Sequence, residues 1–360
     1  MSNSEINPQE QICVEDPNEA SNSVLIIEPR DVPLGGVRAM NVRRTIPQRA
    51  RTLIGAWCFL DHYGPDNVTN SGGMNVAAHP HIGLQTVSWL FSGEIEHRDS
   101  AGFHALVKPG ELNLMTAGSG ISHSERSTKN TTVLHGAQLW VALPKHARGV
   151  EKTFAHYEPQ IISGAGWQAQ VFLGSLLGDT SPVKTYTPLL GAEIRLEAGT
   201  ELLLDSASSF EAEFEHGVLV DSGEVEVAVN GDAKNPTSVQ KDDLAFINSG
   251  ARSLTITAGG EGARILLIGG TPFGEQIVMW WNFIGTDHDE IAQARSDWQA
   301  ELNGVGVGDP SDPDVASRSD VPEGKNGRYG LPQGEPEPPL PAPKLPLVKL
   351  MPRGEAKPAD

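Results

Sequence analysis

The sequence predicts an all-β protein built from two tandem β-barrel units, with a short C-terminal helix and an extended tail. Short apolar runs recur along most of the chain, and Gly, Pro, Asn and Asp separate them. Few segments show the apolar period of a helix. Short strands with turn residues between them are typical of sandwiches and barrels.

The N-terminal segment, residues 1–23, is polar and acidic, so we expect it to be disordered. It has neither the basic start nor the apolar core of a secretory signal. No apolar run in the chain is long enough to span a membrane. Cys13 lies in a polar stretch and Cys58 in an apolar one, so no disulfide is predicted. These features indicate a cytoplasmic protein without membrane contact.

The net charge of −19 limits the partners of the chain. Because like charges repel, a surface this acidic argues against direct binding to nucleic acid or to an anionic membrane. A small molecule or another protein remains as the predicted partner.

Two stretches have the same order of strands and turns. In residues 24–160, the strand at 89–91 leads into the turn Gly93-Glu94. In residues 161–302, the strand at 218–220 leads in the same way into Gly223-Glu224. We therefore expect a duplicated β-barrel, with one copy in each of these ranges.

The C-terminal part changes character twice. From Asp287 to Leu302, Ile291, Ala294 and Trp298 repeat at helical spacing and predict the short helix. From residue 303 to residue 360 the chain is rich in Gly, Pro and charge, and residues 336–343 favour polyproline II. Such a tail either wraps a surface or binds a proline-reading module, and the first alternative is favoured.

Two short pairs of residues predict a metal site. They are His79-Pro80-His81 and His123-Ser124-Glu125, each with two metal-binding side chains at alternate positions. Alternate residues of a strand point to the same face, so neighbouring strands would aim all four groups at one point. Three imidazoles and one carboxylate suit Fe, Mn, Co, Ni, Cu or Zn. Coordination positions beyond four would stay open to solvent or substrate, which indicates chemistry.

The residues around these pairs carry a resemblance to a known family. Gly73, His79, His81 and Gln85 have the spacing of the first cupin motif, which ends in Glu where this chain has Gln85. The run Met-Thr-Ala-Gly-Ser-Gly-Ile-Ser-His-Ser-Glu at 115–125 departs from the second cupin motif. With His79-Pro80-His81-Ile82-Gly83, it closely resembles the pirin family of bicupin proteins. The resemblance covers about residues 34–140 and resumes at 269–275.

The resemblance implies two tandem cupin domains, which are jelly-roll-like β-barrels. It also implies one iron in the first domain, held by His79, His81, His123 and Glu125. Fe(II) is the expected ion, with Mn, Ni, Co, Cu or Zn as alternatives, and no organic cofactor is predicted. The second unit has His216 but nothing at the ligand positions, so we expect it to be metal-free.

Two features of this chain depart from the pirin pattern. Ile82 stands where the family often has Arg, and Leu84-Gln85 stands where Phe-Glu is common. Both changes remove charge near the site, so interactions attributed to this surface loop do not carry over. The four metal ligands are unaffected.

The resemblance also implies a function. Several pirin-like proteins act as quercetin 2,3-dioxygenases, which open the central ring of a flavonol with O2 and release carbon monoxide. On this hypothesis Glu125 is the catalytic base that accepts the proton of the 3-hydroxyl group. One alternative is an iron-dependent, redox-sensing regulator that binds a protein partner without turnover. Another is an inactive cupin that keeps a metal only for stability.

Other side chains receive weaker predictions. His97 lies near Asp99 and either orients a ligand or substrate or is a plain turn histidine. The barrel core, or alternatively an apolar pocket over the metal, is the expected place of three residues, with the core favoured: Phe59, Trp89 and Met115. His62 is expected in a solvated loop.

Overall fold

The computed structural model describes residues 23–34, 40–308 and 327–352. It confirms the all-β class, because two barrels made of strands account for most of these residues. Residues 1–22, which were expected to be disordered, lie outside the described part, as do 309–326 and 353–360 of the tail.

The strands up to residue 160 are β1 (Val24–Ile27), β2 (Arg30–Leu34), β3 (Met40–Ile46), β4 (Trp57–Asn67), β5 (Asn75–His81), β6 (Leu84–Ser92), β7 (Ile95–Asp99), β8 (His104–Val107), β9 (Leu112–Thr116), β10 (Ile121–Ser127), β11 (Val133–Ala142) and β12 (Thr153–Tyr157). The later strands are β13 (Ile162–Gly164), β14 (Trp167–Leu173), β15 (Ser175–Leu176), β16 (Asp179–Thr180), β17 (Leu189–Leu196), β18 (Glu201–Asp205), β19 (Glu215–Val229), β20 (Thr237–Val239), β21 (Leu244–Ile247), β22 (Ser253–Gly270), β23 (Val278–Trp280) and β24 (Phe283–Gly285). The α-helices are α1 (Val68–Ser71) and α2 (His288–Gly304), and short 3-10 turns cover Lys145–Ala147 and Ser206–Ser208.

The first barrel consists of two antiparallel sheets. One has the order β12-β9-β6-β11-β4-β3-β2, and the other has the order β5-β10-β7-β8. In the smaller sheet His123 on β10 pairs with His79 on β5 and with Asp99 on β7. In the larger sheet Gln138 on β11 lies between Ser88 on β6 and Asp61 on β4. The strand registers thus bring polar side chains of both sheets to the inside of this barrel.

The second barrel is one sheet with the order β1-β21-β19-β22-β17-β14-β13, to which β18 and β20 add as short partners. Its first strand differs from the expected division of the chain. Val24–Ile27 precedes the first barrel in sequence but pairs with β21, because Val24 and Ile26 pack against the apolar core of the second barrel. The expected limits at residues 160 and 302 stay predictions.

The two barrels meet along a shared apolar interface. Trp89 of the first barrel stacks on Phe172 of the second, with ring centroids 4.5 Å apart. The indole N–H of Trp57 donates to the carbonyl of Gly269 at 3.0 Å. Burial of apolar surface between two sheets is the main force that holds such layers together.

The predicted helix is confirmed as α2, whose first turn is capped by Asp287 through the N–H of Glu290 at 2.9 Å. Its buried side is formed by Ile291, Ala294, Trp298 and Leu302. The described tail, residues 327–352, contains neither helix nor strand and lies against α2 and the first barrel. This part of the tail therefore wraps the surface, as favoured above. No helix in the described residues is long and apolar enough to cross a membrane.

Candidate metal centre

Three histidines meet inside the first barrel. His79 and His81 come from β5, and His123 comes from the neighbouring strand β10. All three are fully buried, and one ligand nitrogen of each lies within 4.8 Å of the others. The alternation of strand residues therefore brings these predicted ligands together.

Backbone carbonyls determine which nitrogen of His79 and His81 carries the proton. The Nδ1 atom of His79 is 2.9 Å from the carbonyl oxygen of Ala77, and that of His81 is 3.1 Å from the carbonyl oxygen of Asn282. A carbonyl only accepts, so both Nδ1 atoms donate and both neutral rings present a bare Nε2. The Nε2 of His79 has no hydrogen-bond partner in the described structure.

A second chain of contacts orients His123. The Nε2 of His97 lies 3.2 Å from a carboxylate oxygen of Asp99, and the Nδ1 of His97 lies 3.4 Å from the Nδ1 of His123. The carboxylate accepts from Nε2 of His97, so Nδ1 of His97 accepts in turn from His123. His123 then presents its bare Nε2, 3.1 Å from that of His81. His97 therefore contacts His123 from the neighbouring strand β7, and its role in orienting a ligand stays a prediction.

Burial keeps these imidazoles neutral. Loss of hydration lowers the pKa of His79 to about 3 and the pKa of His81 and His123 well below the ordinary value. Three bare nitrogen lone pairs therefore converge at neutral pH with no proton between them. Since all three are acceptors, a cation is the group that satisfies them, and the residues fit a bound metal.

Glu125 places a carboxylate beside His97 and His123, in a group that shares His123 with the three-histidine cluster but does not include His79 or His81. It is two residues after His123 on the inward face of β10, and only 1% of it is exposed. One of its oxygens lies within 4.8 Å of ligand nitrogens of both His97 and His123. The hydroxyl oxygen of Ser88 is 3.3 Å from the same carboxylate. Three imidazoles and one carboxylate can hold a borderline divalent metal.

Two of the predicted pocket residues lie near this cluster. Phe59 stacks on Trp140 at 4.1 Å, and the ring of Trp140 is 5.2 Å from that of His81. Met115 packs with Phe154, whose ring is 4.8 Å from that of His97.

The third, Trp89, does not face the cluster and lies instead in an apolar core, the other of its two predicted places. Its indole N–H donates at 2.7 Å to Glu193 of the second barrel, and its ring stacks on Phe172. Neighbouring residues of β6 point to opposite faces, and Trp89 shares the outer face with Gln85. Gln85 donates to the hydroxyl of Thr116 at 2.9 Å. The side chain at position 85, where the cupin motif has Glu, therefore points away from the three imidazoles.

A second buried cluster was missed. His62, expected in a solvated loop, is fully buried in β4, and that prediction is wrong. The Nε2 atoms of His62 and His135 lie 2.7 Å and 2.6 Å from one oxygen of Asp221, across the interface between the barrels. Arg264 binds the other oxygen at 2.6 Å. This carboxylate is already saturated by donors, so the cluster is an ionic hydrogen-bond network. Sequence spacing gives no signal for it, since residue 221 is distant in the chain.

The histidine of the second barrel has different surroundings. His216 is buried and stacks on Phe210 at 4.1 Å. Both of its ring nitrogens lack a hydrogen-bond partner among the described residues. Of the clusters of metal-ligating side chains in this part of the chain, none includes His216.

Comparisons with known proteins agree with this architecture. The pirin family model matches residues 37–141, and the model of the pirin C-terminal cupin domain matches residues 191–304. A candidate quercetin 2,3-dioxygenase of Pseudomonas aeruginosa is 41% identical over 278 residues, which cover 76% of this chain and 82% of that protein. A pirin-like protein of Caulobacter vibrioides is 35% identical over 287 residues, covering 77% and 93%.

A solved structure gives the same result. The crystal structure of a quercetin 2,3-dioxygenase from Acinetobacter baumannii aligns with a TM-score of 0.76 and 33% identity, over 90% of this chain and 96% of that one. Both family domains are present in tandem, and the cluster of His79, His81 and His123 lies in the first of them. The chain therefore belongs to the pirin family of bicupin proteins.

Proposed function

We propose that this protein is a metal-dependent dioxygenase of the quercetin 2,3-dioxygenase type, which opens the ring of a flavonol-like substrate with O2. The observation that carries the proposal is the convergence of ring nitrogens of His79, His81 and His123, with the carboxylate of Glu125 close to His123. The likeness to a candidate quercetin 2,3-dioxygenase of Pseudomonas aeruginosa and to a quercetin 2,3-dioxygenase of Acinetobacter baumannii supports the type of reaction.

His79, His81, His123 and Glu125 are the proposed metal ligands, and Fe(II) is the proposed ion. When bound, a divalent metal would supply Lewis acidity and a template for the oxygen atoms of the substrate. The carbonyls of Ala77 and Asn282 and the imidazole of His97 keep the ligand nitrogens aimed inward. Partners of this kind typically raise metal affinity about 10- to 100-fold.

Glu125 is the proposed proton acceptor. Its carboxylate takes the proton of the 3-hydroxyl group, so that the substrate reacts with O2 as the electron-rich flavonolate. Ser88 lies next to it, with its hydroxyl oxygen 3.3 Å from Glu125 and 2.8 Å from the amide oxygen of Gln138. Its single hydroxyl proton can be donated to either of these two oxygens, of which that of Gln138 is the nearer.

Three buried donors near these residues favour an oxygen-rich ligand. The hydroxyl of Tyr63, the amide nitrogen of Gln138 and the indole nitrogen of Trp140 have no hydrogen-bond partner within the described ranges. A buried polar group without a partner costs about 1–3 kcal/mol. The hydroxyl and carbonyl oxygens of a flavonol would satisfy such donors. Burial, together with the negative charge of Glu125, raises the pKa of Tyr63, so its hydroxyl stays protonated and able to donate.

The test uses the full chain loaded with Fe(II) without oxygen and then mixed with quercetin and O2. We expect the flavonol absorbance to fall as O2 is consumed and carbon monoxide is released. A Glu125→Gln variant keeps the shape of the side chain but not the base, so kcat should fall about 100-fold or more. The exposed Glu151 provides the matched control, and Glu151→Gln should have the parent rate.

Two results would contradict the proposal. Metal-loaded parent protein that neither consumes O2 nor bleaches quercetin would refute the dioxygenase function and favour a binding protein without turnover. Full activity of Glu125→Gln at the parent metal content would refute the proposed base alone.

A further inference from the structure

The described tail crosses the outer face of the two strands that carry the proposed metal ligands. We call residues 328–340 the tail strap. The hydroxyl of Ser122 on β10 donates to the carbonyl of Gly330 in the strap at 2.6 Å. Further along, the N–H of Leu340 donates to the carbonyl of Ala78 on β5 at 2.8 Å. The strap therefore first follows β10 and then β5.

The strap binds the residues that alternate with the ligands. On β10, His123 and Glu125 point into the barrel, so Ser122, Ser124 and Arg126 point outward. Ser122 and Ser124 are nevertheless fully buried. Their burial results from the strap, which covers the outward face of this strand.

Glu335 is the central contact. Its carboxylate accepts a hydrogen bond from the hydroxyl of Ser124 and forms an ion pair with Arg126 at 2.7 Å. Arg126 also donates to the hydroxyl of Ser124 at 3.1 Å. The side chains of this ion pair are only 14% and 10% exposed, so solvent screens it weakly. One carboxylate thus holds both chain neighbours of Glu125.

The strap is attached where the pairing of β5 with β10 is irregular. His123 pairs with His79 and Glu125 pairs with Val76, so Ala77 and Ala78 have no partner on β10 in this register. The carbonyl of Ala77 accepts from His79, and that of Ala78 accepts from Leu340 of the strap. One tail contact, from Leu340 to Ala78, thus lies at the irregular part of this strand pairing.

We propose that the tail strap positions the metal site from outside the barrel, with Glu335 as its main positioning residue. It acts through Ser124 and Arg126, which keep β10 in the one conformation that aims His123 and Glu125 at the ion. The inference rests on the proposed metal site. A strap that served only general stability would not change how the bound metal is coordinated.

The experiment measures Co(II) binding to the full-length protein, with Co(II) alone as the probe. We expect Glu335→Ala to raise the dissociation constant of Co(II) about tenfold, the low end for groups that orient metal ligands indirectly. The visible ligand-field bands of bound Co(II) should shift as well. The control is Glu337→Ala, since Glu337 is exposed in the same strap and accepts from the side-chain amide of Asn75 at 2.9 Å, so that it reaches Arg126 only through Asn75, which accepts from Arg126 at 3.1 Å. This control should stay within twofold of the parent with an unchanged spectrum.

A double-mutant cycle tests the route through Ser124. Ser124→Ala combined with Glu335→Ala should bind Co(II) no more weakly than Glu335→Ala alone, because both remove the same contact. If Glu335→Ala does not fold, Glu335→Gln replaces it. That variant keeps an oxygen acceptor for Ser124 but loses the ion pair with Arg126, so a smaller rise is expected.

Equal binding by Glu335→Ala and the parent, or equal losses in Glu335→Ala and Glu337→Ala, would overturn the role of the strap. Absence of Co(II) binding in the parent would overturn the metal site and the strap together. A parent that binds Co(II) normally, but whose Fe(II) form does not consume quercetin, would contradict only the dioxygenase function.

Discussion

In the first barrel the inward positions carry His79, Ser88 and Gln138, whereas in the second barrel Ile265 and Leu267 belong to a continuous apolar core. Burial of polar groups costs free energy unless hydrogen bonds compensate, while burial of apolar side chains is favourable. The first barrel therefore has a polar interior in place of a fully apolar core. The second barrel has an apolar core, and its sheet packs against the first barrel.

The comparison also shows that the first barrel does not organise its site alone. His81 is oriented by the carbonyl of Asn282, which follows the second barrel in the chain. Helix α2 and the tail then return to the first barrel, where Tyr329 is fully buried and donates from its hydroxyl to the carbonyl of Ala294 at 2.9 Å. Segments far apart in sequence thus complete a site whose proposed ligands lie within residues 79–125.

The largest expected effect is on metal content, and it should differ between histidine variants of the two barrels. His123→Ala removes one of three converging nitrogens and should abolish stoichiometric metal binding, measured as metal content after purification. His216→Ala, in the second barrel, should keep the metal content of the parent. Circular dichroism checks that both variants are folded. Loss of metal from the His216 variant would show that the second barrel also binds the ion.

An effect of intermediate size is expected on the free energy of unfolding, at the contact between the barrels. Asp221 is fully buried, and Asp221→Asn should lower the free energy of unfolding by about 3 kcal/mol in urea, because it leaves Arg264 without its charged partner. Asp242→Asn is the control: Asp242 pairs with His62 and Arg43 from a side chain that is 23% exposed, so a loss of about 1 kcal/mol is expected. A Co(II) affinity unchanged in both variants would show that the interface and the site are separate.

The loss of stability caused by Asp221→Asn should depend on pH. Burial alone would raise the pKa of Asp221, but hydrogen bonds from His135 and His62 hold it well below the ordinary range. Its stabilisation is therefore full above the unfolded pKa of about 4 and is lost as the pH falls toward the lower folded value. The difference between parent and Asp221→Asn should narrow below about pH 4. A constant difference down to acid unfolding would contradict this assignment.

The smallest expected effect concerns the position that departs from the cupin motif. Gln85 lies on the outer face of β6 and contacts Thr116. Gln85→Ala should change the dissociation constant of Co(II) less than twofold, because no ligand touches this side chain. A larger change would mean that the outer face of β6 also shapes the site.

Several features follow from sequence pattern alone. Alternation within a strand predicted that His79 and His81, and likewise His123 and Glu125, share a face, because strand geometry is local. Turn residues between apolar runs predicted the barrels, and helical spacing predicted α2. The pirin pattern then identified the family, which the matches to both of its domains confirm.

Other features depend on contacts between distant parts of the chain. Strand β6 is buried on both faces, so its sequence does not show which face meets which neighbour. In the structure Trp89 faces the second barrel and Ser88 faces the site. The meeting of His62 with Asp221 and the seating of Glu335 on β10 join residues more than a hundred positions apart. Periodicity determines which side chains share a face, whereas only the packing of whole sheets decides what that face meets.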